Sequence, residues 1–375
     1  MPSIHRIFGA SALAVGAVAL TAFAVVPAAQ AGTHGSFIGQ FSKIDTVSST
    51  VPANGDVNPY GVAVVPTNTG SLVKGDVLVS NFNNMQNLQG TGTTIVQISP
   101  SGKQAVFAQI DASSLPGPCP GGVGLTTALG ILPGGWVVVG SLPTTDGSAA
   151  TAQAGCLLVI NNQGHVAETI AGHGINGPWD MATLSVGSAA ELFVSNVLNG
   201  TVAAGGGIVN QGTVERLVLA LRGSKPPVLV AHTIIGSGFG ERTDPAALVV
   251  GPTGLGLNSA GTLFVADSVG NRITAIPAAP VRLSSAGTGN VVTGGGSLNT
   301  PLGLAIAPNG DVLTVNAGDG NLVETTPAGK QVATAQLDSS GSPPGAGALF
   351  GLAVTPNGNG IYYVDDAVNT LNLFH

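Results

Sequence analysis

The chain has 375 residues, 57 of them glycine and 24 proline, while Asp, Glu, Lys and Arg together make up only 8%. Glycine is thus about twice its ordinary usage and charge about a third of it, which excludes a basic nucleic-acid binder, a coiled coil and a charged disordered tail. With 44% hydrophobic residues and a formal charge of −7, the chain can build a large core, and the scarcity of Lys, Glu, Arg and Met beside abundant Gly, Val, Thr and Asn predicts an all-β fold.

The first segment, 1–31, reads as an export signal. Arg6 supplies a weakly positive start, Ile7 to Val26 is almost wholly apolar, and Ala29-Gln30-Ala31 is a small-residue cleavage site. About 20 apolar residues are long enough to span a bilayer, but Ala and Gly dominate here and no Lys or Arg follows to stop transfer. Cleavage after Ala31 and no membrane insertion afterwards are therefore expected. Residues 32–375 then form one exported domain, monomeric and either secreted or periplasmic. Both cysteines, Cys119 and Cys156, lie in it. In an oxidising compartment an even pair reads as a disulfide, with two separate buried thiols as the alternative.

Beyond the signal, two phrases recur six times. The first is Asp76-Val-Leu-Val-Ser-Asn81, which returns as Trp136–Ser141, Glu191–Asn196, Thr262–Asp267, Asp311–Asn316 and Ile361–Asp366. Ahead of each lies a Gly-started apolar strand: Pro59-Tyr-Gly-Val-Ala-Val64, then strands built around Gly130, Asp180, Gly254, Gly303 and Gly351. Turn signals such as Pro308-Asn-Gly310 separate them. Most copies carry a third strand downstream and several a fourth, the longest insertion falling around 220–250. Short apolar strands in six such units predict a six-bladed β-propeller of four-stranded antiparallel blades.

Ring closure is predicted from the same text. Blades one and five end in Gln109-Ile-Asp111 and Gln336-Leu-Asp338, the segment after the signal carries Gln40-Phe-Ser-Lys-Ile-Asp45, and blade six has only three strands of its own. The N-terminal segment is expected to supply the missing outer strand, so that no edge stays unpaired.

The units resemble NHL repeats. Pro252 to Ile273 is the nearest copy, with Gly254, Gly261, Leu263, Val265, Ala266, Asp267, Asn271, Arg272 and Ile273 in the family's positions, although the Asn-Arg-Ile triplet is complete only in blade four. The resemblance implies the six-bladed fold and leaves activity open, because that repeat serves unrelated tasks.

Candidate chemistry follows from the ends of these strands. Asn81, Ser141, Asn196, Asp267, Asn316 and Asp366 end the second strands. Such a ring of oxygens suits a hard cation such as Ca²⁺, or else each Asx side chain holds its own turn. Departures from a repeat say more. Where five blades place Gly (61, 130, 254, 303 and 351), blade three places Asp180, a carboxylate that a packed inner strand would strip of water. Beside that slot stand Tyr60, Trp179 and Phe350, expected either to rim the channel mouth for a sugar or small hydrophobic ligand or to wedge between blades. His173 is expected on the same face as Asp180. His165 and His232 read as structural, and Glu241-Arg242-x-Asp244 as a salt-bridged loop. No G-x-S-x-G elbow, H-E-x-x-H, P-loop or dinucleotide fingerprint is present. The first expectation is an exported, non-catalytic propeller that binds a protein partner or small ligand through Asp180, Trp179, Tyr60, Phe350 and His173, with no certain cofactor. The second is a metal-dependent hydrolase or lyase resembling gluconolactonase-like propellers, its cation near Asp180, Asn196 and Asp267.

Overall fold

The computed structural model describes residues 35–375, and the export segment read at 1–31 lies outside them. Six antiparallel sheets follow one another along the chain, five with four strands and one with five. All-β with six blades is what the structure shows. The inner strands are Val57–Val64, Leu125–Leu132, Pro178–Val186, Pro252–Leu257, Pro301–Ile306 and Leu349–Val354. Five of the second strands are buried throughout, as in Trp136–Ser141 and Ile361–Asp365, and in blade three Ala189–Asn196 leaves only Ala189 and Glu191 half-exposed. Covered on both faces by neighbouring blades, they read as largely apolar runs rather than as alternating ones. Outer strands such as Gln331–Gln336 are largely half-exposed and correspondingly faint in the sequence.

The closure takes the expected form. Ile44–Ser49 pairs antiparallel with Thr370–Phe374, Ile44 opposite Phe374. A second clasp precedes it: the Glu324 carboxylate accepts from Ser36 Oγ at 2.6 Å, Phe37 N at 2.7 Å and Ile38 N at 2.9 Å. Phe37 and Ile38 are buried with Leu313, Leu322 and Tyr363, and Phe41 bridges Phe37 and Phe374 edge-on, ring centres 5.0 and 5.6 Å apart.

Blade three departs from the four-strand plan. The expected insertion is instead a long hairpin, Val209–Arg222 with Lys225–Asp244, extended by a fifth strand, Leu248–Val250. Glu241, Arg242 and Asp244 are therefore strand residues rather than a loop. Arg242 and Asp244 form an ion pair at 3.0 Å, while the buried Glu241 accepts from Asn199 N at 2.8 Å.

Cys119 and Cys156 are joined in a disulfide, Cα atoms 5.1 Å apart, tying the entry loop of blade two to the strand Cys156–Ile160 across a separation of 37 residues. A loop of that length is worth about 4 kcal/mol on the chain-entropy argument. The double variant Cys119→Ser, Cys156→Ser is expected to lower the denaturation midpoint by a comparable free energy; an unchanged midpoint would show the bond to be dispensable. No helix among the described residues is long and apolar enough to cross a membrane.

Candidate functional site at the closed end of the channel

Each inner strand begins with a bulge that re-aims its side chains. In blade four Pro252 pairs with Asp267 and Leu255 with Val265, so three residues advance against two. Blades one, three, five and six repeat this step. Blade two adds one residue more, Leu125 pairing with Ser141 and Leu129 with Val139. Register therefore corrects two assignments. The blade-two residue in the Gly slot is Ala128, not Gly130, which pairs with Val138. In blade six Asp365, not Asp366, pairs with Leu349 and takes the place of Asp267.

The reason for Gly in the slot is a close approach between inner strands. A Cβ on Gly254 would lie 2.2 Å from Leu302 O, one on Gly303 1.9 Å from Phe350 O, and one on Gly351 2.1 Å from Tyr60 O. At blade three the slot holds Asp180, whose side chain takes that path toward the next blade. Its Oδ2 accepts from Leu255 N at 2.8 Å. Its own amide donates to Ser195 Oγ at 3.0 Å, and that hydroxyl donates to Thr253 O at 2.8 Å. Ser80 does the same for Gly61 and Thr126 O. These two hydroxyls, one position before Asn81 and Asn196, passed unnoticed in the sequence, although the other blades carry Gly140, Ala266, Val315 and Val364 there.

One residue past the slot, Val62, Leu129, Met181, Leu255, Leu304 and Leu352 form an apolar ring with one member per blade. Together with Thr127, Asp180, Gly303 and Gly351 they line a cavity of about 60 Å³. Asp180 is the one titratable side chain among these lining residues and is 8% exposed. Burial raises its pKa to about 7, against the opposing pull of hydrogen bonds from the Leu255 and Met181 amides. On the same face two residues along, Val64, Ile131, Thr183, Leu257, Ile306 and Val354 are partly exposed, so the channel is wetter away from Asp180.

The aromatic residues do not rim an open mouth. Tyr60, Trp179 and Phe350 are all buried. Tyr60 stacks on Phe350 with centroids 4.0 Å apart and on Phe82 at 4.5 Å, while Trp179 lies 6.2 Å away. They share a core cluster with Leu302 and Ala247–Val250, and Trp179 Nε1 donates to Val249 O at 3.1 Å. The end at which the inner strands start is thus filled by a plug under the fifth strand of blade three. His173 is not among the residues lining the channel cavity; its exposed ring lies against His232, centroids 4.9 Å apart.

The candidate cation ligands are engaged elsewhere. Asp267 holds Arg272 Nε at 2.7 Å and accepts from Gly270 N at 3.0 Å. Asn196 Oδ1 accepts from Asn176 N at 3.2 Å. Asn81 and Asn316 donate to Thr50 O and Ser297 O. These are turn and loop contacts, one set per blade, so Asp180, Asn196 and Asp267 do not fit as a Ca²⁺ cage. Among the described residues no three His, Cys, Asp or Glu side chains are grouped to hold a metal ion.

No family model matches the chain, and no curated protein matches it in sequence. Solved structures do match. A gluconolactonase from Xanthomonas campestris is 12% identical over 88% of each chain, TM-score 0.53. The calcium-binding protein regucalcin from Agrobacterium tumefaciens is 12% identical over 87% of this chain and 92% of its own, TM-score 0.54. A luciferin-regenerating enzyme is 10% identical over 88% and 94%, TM-score 0.53. At such identities the likeness is one of fold. The six-bladed architecture thereby stands with gluconolactonase- and regucalcin-like neighbours, while membership of the NHL family itself is not shown. The first functional expectation, a non-catalytic binder, is corrected: the fold's neighbours include enzymes, the aromatic surface that was to bind the ligand is buried, and the channel holds a carboxyl group that titrates near neutrality. The second expectation, a hydrolase or lyase, fits better.

Proposed function

We propose that this propeller is a hydrolase or lyase in which Asp180 is the acid–base group, reached along the channel from the end opposite the aromatic plug. The observation that carries the reading is the buried Asp180 carboxyl, with a pKa of about 7, facing a small cavity behind an apolar ring. A group whose pKa lies near the working pH is most effective at taking a proton in one step and returning it in the next. A cavity of about 60 Å³ admits a few waters or the reacting end of a small substrate. The apolar ring would grip the body of that substrate and keep bulk water from the carboxyl. The Leu255 amide holds Oδ2 of the carboxyl, and the group as a whole faces the cavity. The gluconolactonase among the fold's neighbours favours lactones and esters as first substrates. The phrase Pro252–Ile273 supports describing the units as NHL-type, its Asp267–Arg272 pair joining the two halves of the motif. The disulfide supports action outside the cytoplasm.

The test is a panel of lactones, carboxylic esters and eliminable substrates assayed from pH 5 to 9. Asp180→Asn keeps an acceptor for the Leu255 amide and should lower kcat by roughly 10²–10⁴-fold. Turnover that survives this change, or a rate profile with no inflection near neutral pH, would overturn the assignment. Because the candidate cage does not fit, dialysis against EDTA is expected to leave the channel activity intact.

A further inference from the structure

Away from the channel, on the outer half of blade three, three side chains far apart in sequence come together. Glu215 is 0% exposed, and its Oε1 lies 3.1 Å from His232 Nδ1. Its Oε2 is buried without a hydrogen-bond partner among the described residues. The His232 side chain is 48% exposed, and its ring meets that of His173 at 4.9 Å and 61°. His173 reaches this place through a run of left-handed backbone, Gly172 at φ 72°, His173 at 52° and Gly174 at 84°, closed by Ile175 N donating to Gly172 O at 2.8 Å. Left-handed geometry is uncommon outside glycine, and histidine is among the few other residues that adopt it readily. Glycine at 174 is required by contact: a Cβ there would stand 2.5 Å from Glu215 Oε2.

A carboxylate wholly removed from water is stabilised by positive charge beside it, and among the described residues Glu215 is paired only with a half-exposed imidazole. A cation on the far side of that imidazole would supply the charge. This is the arrangement in which a carboxylate on one ring nitrogen orients the other toward a metal, and paired imidazoles suit zinc, copper and nickel. A groove of about 220 Å³, lined by Glu168, Thr169, His173 and Pro227–Leu229, leaves room beside His173 for the waters that two protein ligands require.

We propose that His173 and His232 bind one divalent d-block cation, with Glu215 accepting from His232 Nδ1–H and holding Nε2 toward the ion. Neither histidine lines the channel, so the site is independent of Asp180. The test is titration of the untagged full chain with Zn²⁺ alone by calorimetry and with Cu²⁺ alone by electron paramagnetic resonance. One ion per chain and a two-nitrogen Cu²⁺ spectrum are expected. His173→Ala, a change in an exposed turn, should abolish stoichiometric binding. Glu215→Gln should weaken it about 10–100-fold and alter the pH dependence of uptake, while His165→Ala should change nothing. Absence of a stoichiometric ion, binding that survives His173→Ala, or an equal loss in His165→Ala would each overturn the proposal.

Discussion

Asp180→Asn is expected to make the protein more stable above neutral pH while abolishing channel turnover. In the folded state burial raises the Asp180 pKa from 3.8 to about 7. Below pH 4 both folded and unfolded chains hold the proton, and the group contributes no difference. As the pH rises through 4 the unfolded chain loses its proton while the folded chain keeps it, so folding weakens steadily until about pH 7 and then levels off. A shift of this size corresponds to about 4 kcal/mol at pH 8. Asparagine has no proton to lose and leaves the Leu255 amide its acceptor. Asp365, raised to about 6, and Asp366, raised to about 7, both chiefly by burial, weaken folding in the same direction. They are present in both proteins, so the difference between variant and parent isolates Asp180. Denaturant unfolding at pH 4, 6 and 8 measures it: the two stability curves should meet at the acid end and diverge toward the alkaline end. Curves that run parallel would show that Asp180 is not held protonated by the fold. A residue whose removal stabilises the chain while destroying turnover is one retained for chemistry rather than for folding.

Removing residues up to Ser49 should prevent cooperative folding of the remainder. The deletion strips the outer strand from blade six and leaves Thr370–Phe374 as an open edge. It also takes away the buried side chains of Phe37 and Ile38, each worth about 1.5–3 kcal/mol. Glu324, 0% exposed, loses three of its donors at once, hydrogen bonds to a charged group being worth about 1.5–3 kcal/mol each. The combined loss is about as large as the whole stability of a typical domain. Circular dichroism melts should show a broad, non-cooperative transition; a sharp melt within a few degrees of the intact chain would refute the closure argument. Acid should loosen the same clasp more gently. Burial pushes the Glu324 pKa up, but hydrogen bonds from Ser36, Phe37 and Ile38 outweigh it and leave the group below its ordinary value. Its contribution is therefore present above the unfolded-state pKa and lost as the pH falls through the folded one.

How much of this was legible beforehand depended on the residue. Asp180 was conspicuous because it broke a glycine repeat, and the repeat exists because a Cβ would collide with the next blade's carbonyl. The closing strand was legible because its Ile-Asp ending copies those of other blades. Gly130 and Asp366 were each placed one step or more out of register, because the extra bulge residue in blade two and the second aspartate of blade six leave no mark on composition. His232 lies outside the inner strands and so reads as structural, and its two partners, Glu215 17 residues away and His173 in a separate loop, share no local pattern with it.

The chain by itself determined the all-β class and the six units, since these rest on short-range pattern: second strands are largely apolar, and turns need Gly and Asn. The closing strand was readable from its copy of the other blades' Ile-Asp ending and the cysteine pair from its even count, although both join distant parts of the chain. Only the tertiary structure decided that Tyr60, Trp179 and Phe350 fill the channel mouth instead of framing it, that Asn196 and Asp267 serve their own turns, and that two histidines meet over a buried glutamate. Those outcomes depend on which strand ends converge when the ring closes and on a fifth strand lying over the plug, and long-range convergence of that kind leaves no period in the sequence to read.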